Sequence, residues 1–227
     1  MVKGKGKIKV VVAGAGGRMG TRLVGLIKES PNLELAGAVE RKGHPAVGAD
    51  AGETAGCGRL GVAVTDDLTA LAARAEVLIE FTSPDATLAH LAIMAASRKA
   101  MVIGTTGFSA KQLAELRALA RPIPCVFAPN MSVGVTVLLK ILDAVAAYGR
   151  KGMIGERKRG EIGMQVIRAG DIIGDHTVLF GGLGERIEVT HRVQSRDTFA
   201  RGALRAAQWV VAQAPGLYDM QDVLGSK

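Results

Sequence analysis

The stretch Ile8-Lys-Val-Val-Val-Ala-Gly-Ala-Gly-Gly-Arg-Met-Gly20 decides the fold of this 227-residue chain. Its first half, Ile8–Ala13, is a continuous Val-rich apolar run, which is typical of a strand buried on both faces of a parallel sheet. Glycines end the run, and the helical spacing of apolar residues over 18–30 predicts a helix directly after them. A strand, a glycine loop and a helix in this order indicate the start of an α/β fold.

The same alternation continues through the first two thirds of the chain. Further short apolar runs, each typical of a buried strand, lie at 33–39, 62–64, 77–81, 101–103 and 126–128. Helix-start signals lie between or after them, among them Ser83-Pro84-Asp85, a capping box of Ser109 with Gln112, and Ser132 before a helix to about residue 147. Alternating strands and helices predict a Rossmann-type, doubly wound parallel sheet.

The pattern changes after Tyr148. A basic, glycine-rich stretch (150–160) precedes three strand-like runs at 162–168, 172–180 and 185–193, and the short turns between them predict an antiparallel meander. A last helix is predicted over about 199–212. We therefore expect a dinucleotide-binding domain over residues 1–130, completed by about 197–227. A smaller α+β domain is expected over 131–196.

The glycine loop has the spacing of a dinucleotide-binding fingerprint, Gly14-x-Gly16-Gly17-x-x-Gly20. Such glycines allow a tight turn and let backbone N–H groups approach a pyrophosphate at the helix N-terminus. Glu40 ends the second predicted strand, where a carboxylate would meet the ribose hydroxyls. Arg41 beside it could pair with a 2′-phosphate, so NADH and NADPH both remain possible. A structural glycine turn beside a solvated Glu-Arg pair is the alternative.

Three further predicted strands end in polar or glycine-rich loops. These loops are Phe81-Thr82, Gly104-Thr105-Thr106-Gly107 and Ala128-Pro129-Asn130. Because open α/β sheets bind ligands at the carboxyl ends of their strands, we expect the loops to line the nicotinamide side of the crevice. Ordinary turn chemistry would explain any one loop, but the three together favour a site.

Composition limits the other classes of function. The net charge is +8, but four of the lysines lie in the first nine residues, and aromatic residues make up only 4%. The low aromatic content disfavours nucleic-acid binding by base stacking. Cys57 and Cys125 lack metal-ligand spacing, and no apolar run approaches the roughly 18 residues of a membrane span. We expect a cytoplasmic protein with no metal site.

These motifs resemble those of the dihydrodipicolinate reductase (4-hydroxy-tetrahydrodipicolinate reductase) family of bacterial lysine and diaminopimelate biosynthesis. The matching motifs follow one another along nearly the whole chain: Val12-Ala-Gly-Ala-Gly-Gly-Arg-Met-Gly20, Glu40-Arg41, Phe81-Thr82-x-Pro84, Gly104-Thr-Thr-Gly107, Ala128-Pro-Asn-Met-Ser-Val-Gly134, Gly155-Glu-Arg157, Arg168-Ala-Gly-Asp-Ile-Ile-Gly-Asp-His176, Ser195-Arg-x-x-Phe-Ala-x-Gly-Ala203 and Gly216-Leu-Tyr-Asp-Met220. The resemblance implies an oxidoreductase that passes a hydride from NADH or NADPH to a cyclic unsaturated dicarboxylate. It also implies a homo-oligomer, with a tetramer as the family's arrangement.

The resemblance assigns cofactor contacts to the glycine loop, to the Glu40-Arg41 pair and to two of the strand-end loops. The residues are Gly14, Ala15, Gly16, Gly17, Arg18, Met19, Glu40, Arg41, Gly104, Thr105, Thr106, Ala128, Pro129, Asn130 and Met131. With Phe81 and Thr82 from the strand-end argument, they form the predicted cofactor site.

One family element is absent. The family has a His-His-x-x-Lys motif and a Ser-Gly-Thr loop that hold the substrate and supply a proton, between the Ser132 helix and Gly155. Here Leu142-Asp-Ala-Val-Ala-Ala-Tyr-Gly149 runs directly into Arg150-Lys-Gly152. The sequence thus offers no catalytic residue from that element. The domain over 131–196, which the resemblance implies is the substrate-binding and oligomerisation domain, is shorter than in the family.

The remaining histidines and basic residues do not restore the element. The chain has four histidines, none next to another in the sequence: His44, His90, His176 and His191. We interpret His176 and His191 as structural, with proton donation as the alternative. The basic residues Lys151 and Arg157-Lys-Arg159 could attract a dicarboxylate, although a solvated loop is the simpler interpretation.

Three functions remain in competition. The first is a reductase by descent whose turnover is impaired by the missing segment, since general acid catalysis typically contributes roughly 10²–10⁴-fold. The second is a non-catalytic dinucleotide-binding protein or assembly scaffold. The third, a basic nucleic-acid-binding module, is disfavoured by the composition.

Overall fold

The computed structural model of the protein describes residues 6–148, 172–181 and 184–226. The strands are β1 (Ile8–Ala13), β2 (Leu33–Val39), β3 (Val64–Thr65), β4 (Val77–Glu80), β5 (Ala100–Ile103), β6 (Pro124–Phe127), β7 (Gly174–Gly181), β8 (Arg186–Val193) and β9 (Gly216–Tyr218). The helices are α1 (Gly20–Glu29), α2 (Ala51–Thr54), α3 (Leu68–Ala72), α4 (Pro84–Ala96), α5 (Ala110–Leu119), α6 (Val133–Tyr148), α7 (Asp197–Val210) and α8 (Met220–Leu224).

Seven of these strands form one parallel sheet in the order β3-β2-β1-β4-β5-β6-β9. The predicted doubly wound parallel sheet is therefore confirmed. The chain order reverses between β1 and β4, where Ala13 pairs with Glu80 at the carboxyl ends of the two strands. Ligands of open α/β sheets bind outside such a reversal point.

The core lies on both faces of the sheet because successive side chains of a strand point to opposite sides. From β1, Val10 and Val12 pack with α1 and α7 on one face. Val11 and Ala13 pack with α4 and α5 on the other. All four side chains are completely buried, which explains why the strand reads as a continuous apolar run rather than an alternating one.

Several short elements differ from the sequence-based expectation. The strand predicted at 62–64 lies at Val64–Thr65, and the segment 42–61, for which no helix or strand was predicted, contains the one-turn helix α2. The strand β9, which was not predicted, pairs with β6 at the edge of the parallel sheet. Two- and three-residue strands show no period of their own, so only the neighbouring strand defines them.

The antiparallel meander is represented by two described strands. β7 and β8 pair over their full length, from Gly174 opposite Val193 to Gly181 opposite Arg186. The first run of the predicted meander, 162–168, lies outside the described residues. Within the part of the chain that the structure describes, no helix is both long enough and apolar enough to cross a membrane.

Candidate functional site

The glycine loop follows β1 and folds back tightly on itself. Gly14 has a φ of 70°, in the left-handed region that glycine adopts readily. Its carbonyl accepts a hydrogen bond from the Gly17 N–H over 2.9 Å. A Cβ atom added at Gly20 would lie only 2.0 Å from the same carbonyl oxygen. Helix α1 can therefore begin directly against the loop only because position 20 has no side chain.

Glu40 lies beside this loop, although 24 positions separate it from Gly16 in the sequence. Its Oε1 accepts a hydrogen bond from the Gly16 N–H over 3.0 Å, and its Oε2 accepts one from the Arg41 N–H over 3.1 Å. The side chain of Arg41 is exposed. The fold thus brings the two parts of the fingerprint, the glycine loop and the carboxylate, into direct contact.

His44 also belongs to this part of the site, and sequence reasoning missed it. A Cβ atom added at Gly16 would lie 2.7 Å from the Cε1 atom of His44, so the imidazole ring packs on the glycine. The His44 Nδ1 accepts the Ala46 N–H over 3.2 Å. In the neutral ring Nε2 then carries the proton and is a donor. The region 42–61 has no periodicity, so the sequence carried no signal for this contact.

The loops after β4 and β5 are joined to each other. The Thr82 N–H donates to the Thr105 Oγ1 over 3.0 Å, and the Thr87 hydroxyl donates to the same oxygen over 2.9 Å. The Phe81 ring covers Gly104, where an added Cβ atom would lie 2.2 Å from the ring's Cε1. These contacts bring together the loops that the sequence placed at consecutive strand ends.

The loop after β6 completes the site. Its Asn130 side chain accepts the Ser132 N–H over 2.8 Å, and the Ser132 hydroxyl caps α6 by accepting the Val135 N–H over 3.2 Å. Met131 is buried. α7 approaches this loop closely, because a Cβ atom added at Gly202 would lie 1.7 Å from the Met131 carbonyl oxygen. A side chain at position 202 would push α7 away from the site.

A cleft of about 300 Å³ lies between these elements. Five predicted site residues line it together with three that were not predicted: Met19, Phe81, Pro129, Asn130, Met131, Ile173, Arg196 and Phe199. Ile173, Arg196 and Phe199, the three additional residues, lie in motifs that match the family. That match was the sequence signal that could have identified them. Arg196 adds a cation to a cleft whose other lining residues are uncharged.

A salt bridge holds the Arg196 side of the cleft in place. Arg22 of α1 and Asp197 of α7 form two hydrogen bonds of 2.6 Å. The hydrogen bond from Arg22 is the main reason why the pKa of Asp197 is lowered, and the same pair raises the pKa of Arg22. The pair joins the start of α7 to the helix that begins at the glycine loop.

His176 and His191 are neighbours in space although they are far apart in the sequence. The register of β7 and β8 places them opposite each other. Their rings stack with centroids 5.7 Å apart, and their Nδ1 atoms are 3.4 Å apart. The His191 ring also packs against Gly134 in the first turn of α6. Neither ring is among the described residues that line the cleft.

The cysteines and acidic residues form no metal-binding cluster in the described part of the chain. Burial raises the pKa of the Cys125 thiol to about 12, so it stays protonated at neutral pH. Cys57 and Cys125 are both free. Among the described residues, no group of three or more His, Cys, Asp or Glu is placed to hold a metal ion.

Comparison with known families covers almost the whole chain. The model of the dihydrodipicolinate reductase N-terminus matches residues 8–131, and the model of the C-terminus matches residues 109–224. The chain belongs to the dihydrodipicolinate reductase family. The resemblance read from the motifs is thus confirmed, and with it the oxidoreductase class and NADH or NADPH as the family's cofactor.

Individual dihydrodipicolinate reductases agree with this assignment. The 4-hydroxy-tetrahydrodipicolinate reductase of Syntrophus aciditrophicus is 44% identical over 264 residues, covering 96% of this chain and 98% of that protein. The enzyme of Geobacter sulfurreducens is 46% identical over 265 residues, covering 96% and 99%. The dipicolinate-bound dihydrodipicolinate reductase of Paenisporosarcina sp. TG-14 is 19% identical with a TM-score of 0.71, covering 95% and 98%, and shows the shared fold.

The relatives in the dihydrodipicolinate reductase family are longer than this chain. The two alignments extend over 264 and 265 residues, whereas this chain has 227. Each relative therefore contains several dozen residues that have no counterpart here.

Proposed function

We propose that this chain binds NADH or NADPH at the carboxyl ends of β1, β2, β4, β5 and β6, and that its reductase turnover is impaired. The hydrogen bond between the Gly16 N–H and the Glu40 carboxylate is the observation that carries the cofactor site. Pyrophosphate recognition and ribose recognition need these two groups at one place. The glycines fit the cofactor because side chains at Gly14, Gly16 or Gly17 would crowd the loop.

Each group of the site has a distinct task in this proposal. The glycine loop and the N-terminus of α1 hold the pyrophosphate, and Glu40 accepts hydrogen bonds from the ribose hydroxyls. The loops at Thr82, Thr105 and Asn130 position the nicotinamide end. The bound cofactor supplies the hydride, and the protein supplies orientation and electrostatics. Arg196, which lines the cleft, favours an anionic substrate such as a small cyclic dicarboxylate.

The proposed impairment rests on the missing segment. The sequence that follows α6 contains no His-His-x-x-Lys and no Ser-Gly-Thr loop, and the longer relatives support a loss of this size. Without a proton donor and a carboxylate clamp, hydride transfer loses general acid catalysis and substrate positioning. Cofactor binding uses other residues and is retained.

The second candidate, a non-catalytic dinucleotide-binding protein or scaffold, is favoured by the same length difference. Two measurements on the intact chain separate the proposals. Nicotinamide fluorescence titration tests cofactor binding, and a coupled assay with freshly generated substrate tests turnover. Binding with weak turnover supports the impaired reductase, binding with no turnover above background supports the second candidate, and no binding contradicts both.

We further propose a cytoplasmic homo-oligomer whose cofactor domain comprises 1–130 with 197–227 and whose smaller domain comprises 131–196. The pairing of β9 with β6 supports the return of the chain to the cofactor domain. The two free cysteines suit a reducing compartment. Leu179 and Ile187, on opposite faces of the β7–β8 pair, are 63% and 54% exposed, which favours coverage by another copy.

A further inference from the structure

A completely buried carboxylate lies directly beneath the proposed cofactor site. Glu80 ends β4, and its side chain has no exposed surface. Burying a carboxylate is costly unless other groups satisfy both of its oxygens. An apolar side chain at position 80 would avoid this cost. The two preceding residues, Leu78 and Ile79, are apolar and equally buried.

Both oxygens of Glu80 have partners from different elements. The Oε2 atom lies 2.6 Å from Nδ1 of His90, a residue of α4 that is mostly buried. The Oε1 atom accepts the hydroxyl of Thr82. The backbone carbonyl of Glu80 also accepts the Gly104 N–H over 2.9 Å. One residue therefore contacts the loop after β4, the loop after β5 and the helix behind them.

Thr82 in turn contacts two of the proposed cofactor loops, the Thr105 loop and the glycine loop. Its N–H is bound to Thr105, as described above. On its other side, a Cβ atom added at Gly14 would lie 3.0 Å from the Thr82 methyl group, so the threonine also abuts the glycine loop. By binding the Thr82 hydroxyl, Glu80 thus restrains Thr82, which lies between the phosphate end and the nicotinamide end of the site.

We propose that Glu80 and His90 are positioning residues for the cofactor. Together they hold the Thr82 hydroxyl and thereby fix the spacing between the glycine loop and the Thr105 loop. The inference rests on the proposed function, namely that NADH or NADPH binds at these strand ends. It adds two residues that are not among the described residues lining the cleft.

The decisive variant is Glu80→Leu, which removes the hydrogen bonds and keeps an apolar volume in a buried position. Removing one partner of a buried pair leaves the other without its hydrogen bond, here His90, and lowers the stability of the fold. A role in stability alone thus predicts an altered melting temperature with unchanged cofactor affinity. Positioning predicts the opposite, NADH binding weakened about tenfold or more with the fold retained, because a hydrogen bond to a charged group is lost.

Two companion variants make the test specific. Glu80→Gln can accept the Thr82 hydroxyl through its amide oxygen and donate to His90 through its amide nitrogen, so it should bind NADH within about threefold of the parent. Glu76→Leu is the matched control, since Glu76 precedes the opposite end of β4 and is exposed. It should leave NADH affinity unchanged.

A double-mutant cycle shows whether Glu80 acts through Thr82 or independently of any direct contact between Thr82 and the cofactor. If Glu80 acts through the Thr82 hydroxyl, adding Thr82→Val to Glu80→Leu weakens NADH binding little further. If Glu80→Leu does not fold, the same cycle is run with Glu80→Asp, whose shorter side chain cannot reach both partners.

The outcomes are separable by fluorescence titration and thermal unfolding. A parent chain that does not bind NADH contradicts the proposed function itself. A parent that binds NADH, with a Glu80→Leu variant (or Glu80→Asp, where it replaces Glu80→Leu) that binds within twofold of the parent, overturns the positioning role. Fully additive effects of the Glu80 and Thr82 substitutions overturn it as well.

Discussion

The carboxylate of Glu40 accepts the N–H of Gly16 over 3.0 Å, so the proposed ribose-binding group contacts the proposed phosphate-binding loop directly. Arg41 follows Glu40 and is exposed, so the proposed site places a group expected to favour NADH beside one expected to favour NADPH.

We expect NADH and NADPH to bind with affinities within about tenfold of each other, or about 1.4 kcal/mol. Arg41→Ala should weaken NADPH binding and leave NADH binding nearly unchanged, because only NADPH carries the 2′-phosphate. Fluorescence titration of both cofactors measures this. A preference of the parent above a hundredfold for either cofactor contradicts the dual-cofactor prediction.

Substitution of Gly17 by valine should abolish cofactor binding. A Cβ atom there already lies 3.1 Å from the Gly14 carbonyl oxygen, and the rest of the side chain would occupy the space of the pyrophosphate. We expect a loss of at least about a hundredfold in affinity for NADH.

Gly25→Ala is the matched control for this substitution. Gly25 lies in α1, and an added Cβ atom meets nothing within 4 Å. Alanine is favoured over glycine inside a helix by about 1 kcal/mol, so this variant should bind NADH normally and melt no lower than the parent. Normal binding by Gly17→Val would disprove the role of the loop.

Turnover should be weak even when NADH is bound. The reason is the direct passage from Tyr148 to Arg150 through Gly149, with no His-His-x-x-Lys between the flanking family motifs. Insertion of a family-type segment between Gly149 and Arg150 should raise the rate, measured as nicotinamide absorbance with freshly generated substrate. A rate of roughly 10 s⁻¹, typical of enzymes, for the unaltered chain would contradict the prediction.

If the unaltered chain proves active, a residue outside the missing segment must supply the proton. His176 and His191, whose rings stack across β7 and β8, and Lys151 are then the residues to replace first. Loss of the rate in His191→Gln with unchanged NADH affinity would identify the histidine pair as the donor, whereas an unchanged rate would leave the pair structural.

The β7–β8 pair should mediate self-association. Leu179 and Ile187 expose large apolar side chains on its opposite faces, and such surfaces usually mark partner sites. Light scattering at micromolar concentration should show an oligomer, and Leu179→Lys or Ile187→Lys should reduce its mass, whichever face is covered. Thr69→Lys, an exposed position on α3, is the control. A purely monomeric parent would refute the prediction.

Asp50 should make the loop between β2 and β3 sensitive to acid. Its carboxylate accepts backbone N–H groups from Gly52, Glu53, Leu60, Gly61 and Val62. The hydrogen bond from Leu60 is the main reason why the pKa of Asp50 is lowered from 3.8. A lowered folded-state pKa contributes stability above the unfolded-state pKa, and this stability is lost as the pH falls through the folded-state value.

The variant Asp50→Asn isolates this contribution. It should be less stable than the parent at pH 7, and the difference should shrink below about pH 4, where the carboxyl of the unfolded chain becomes protonated. Thermal unfolding between pH 3 and pH 7 measures the difference. A gap that stays constant over this range would show that the charge of Asp50 does not matter.

The larger elements were predictable because their signals are local. The β1 run, the glycine spacing after it and the Ser109 capping box each lie within a few consecutive residues. The motifs that resemble those of the family also predicted the oxidoreductase class. In contrast, β9 has only three residues and exists because the edge of β6 is available to pair with it.

The site shows the same division between local pattern and tertiary contact. The sequence by itself determined the parallel sheet, the glycine loop, the acidic residue after β2 and the family, because these depend on residue type and short spacing. Only the tertiary structure decided that His44 packs on Gly16, that Glu80 holds both Thr82 and His90, and that His176 faces His191. Contacts of this kind depend on strand order, strand register and loop conformation, and residues that meet in this way can be any distance apart in the chain.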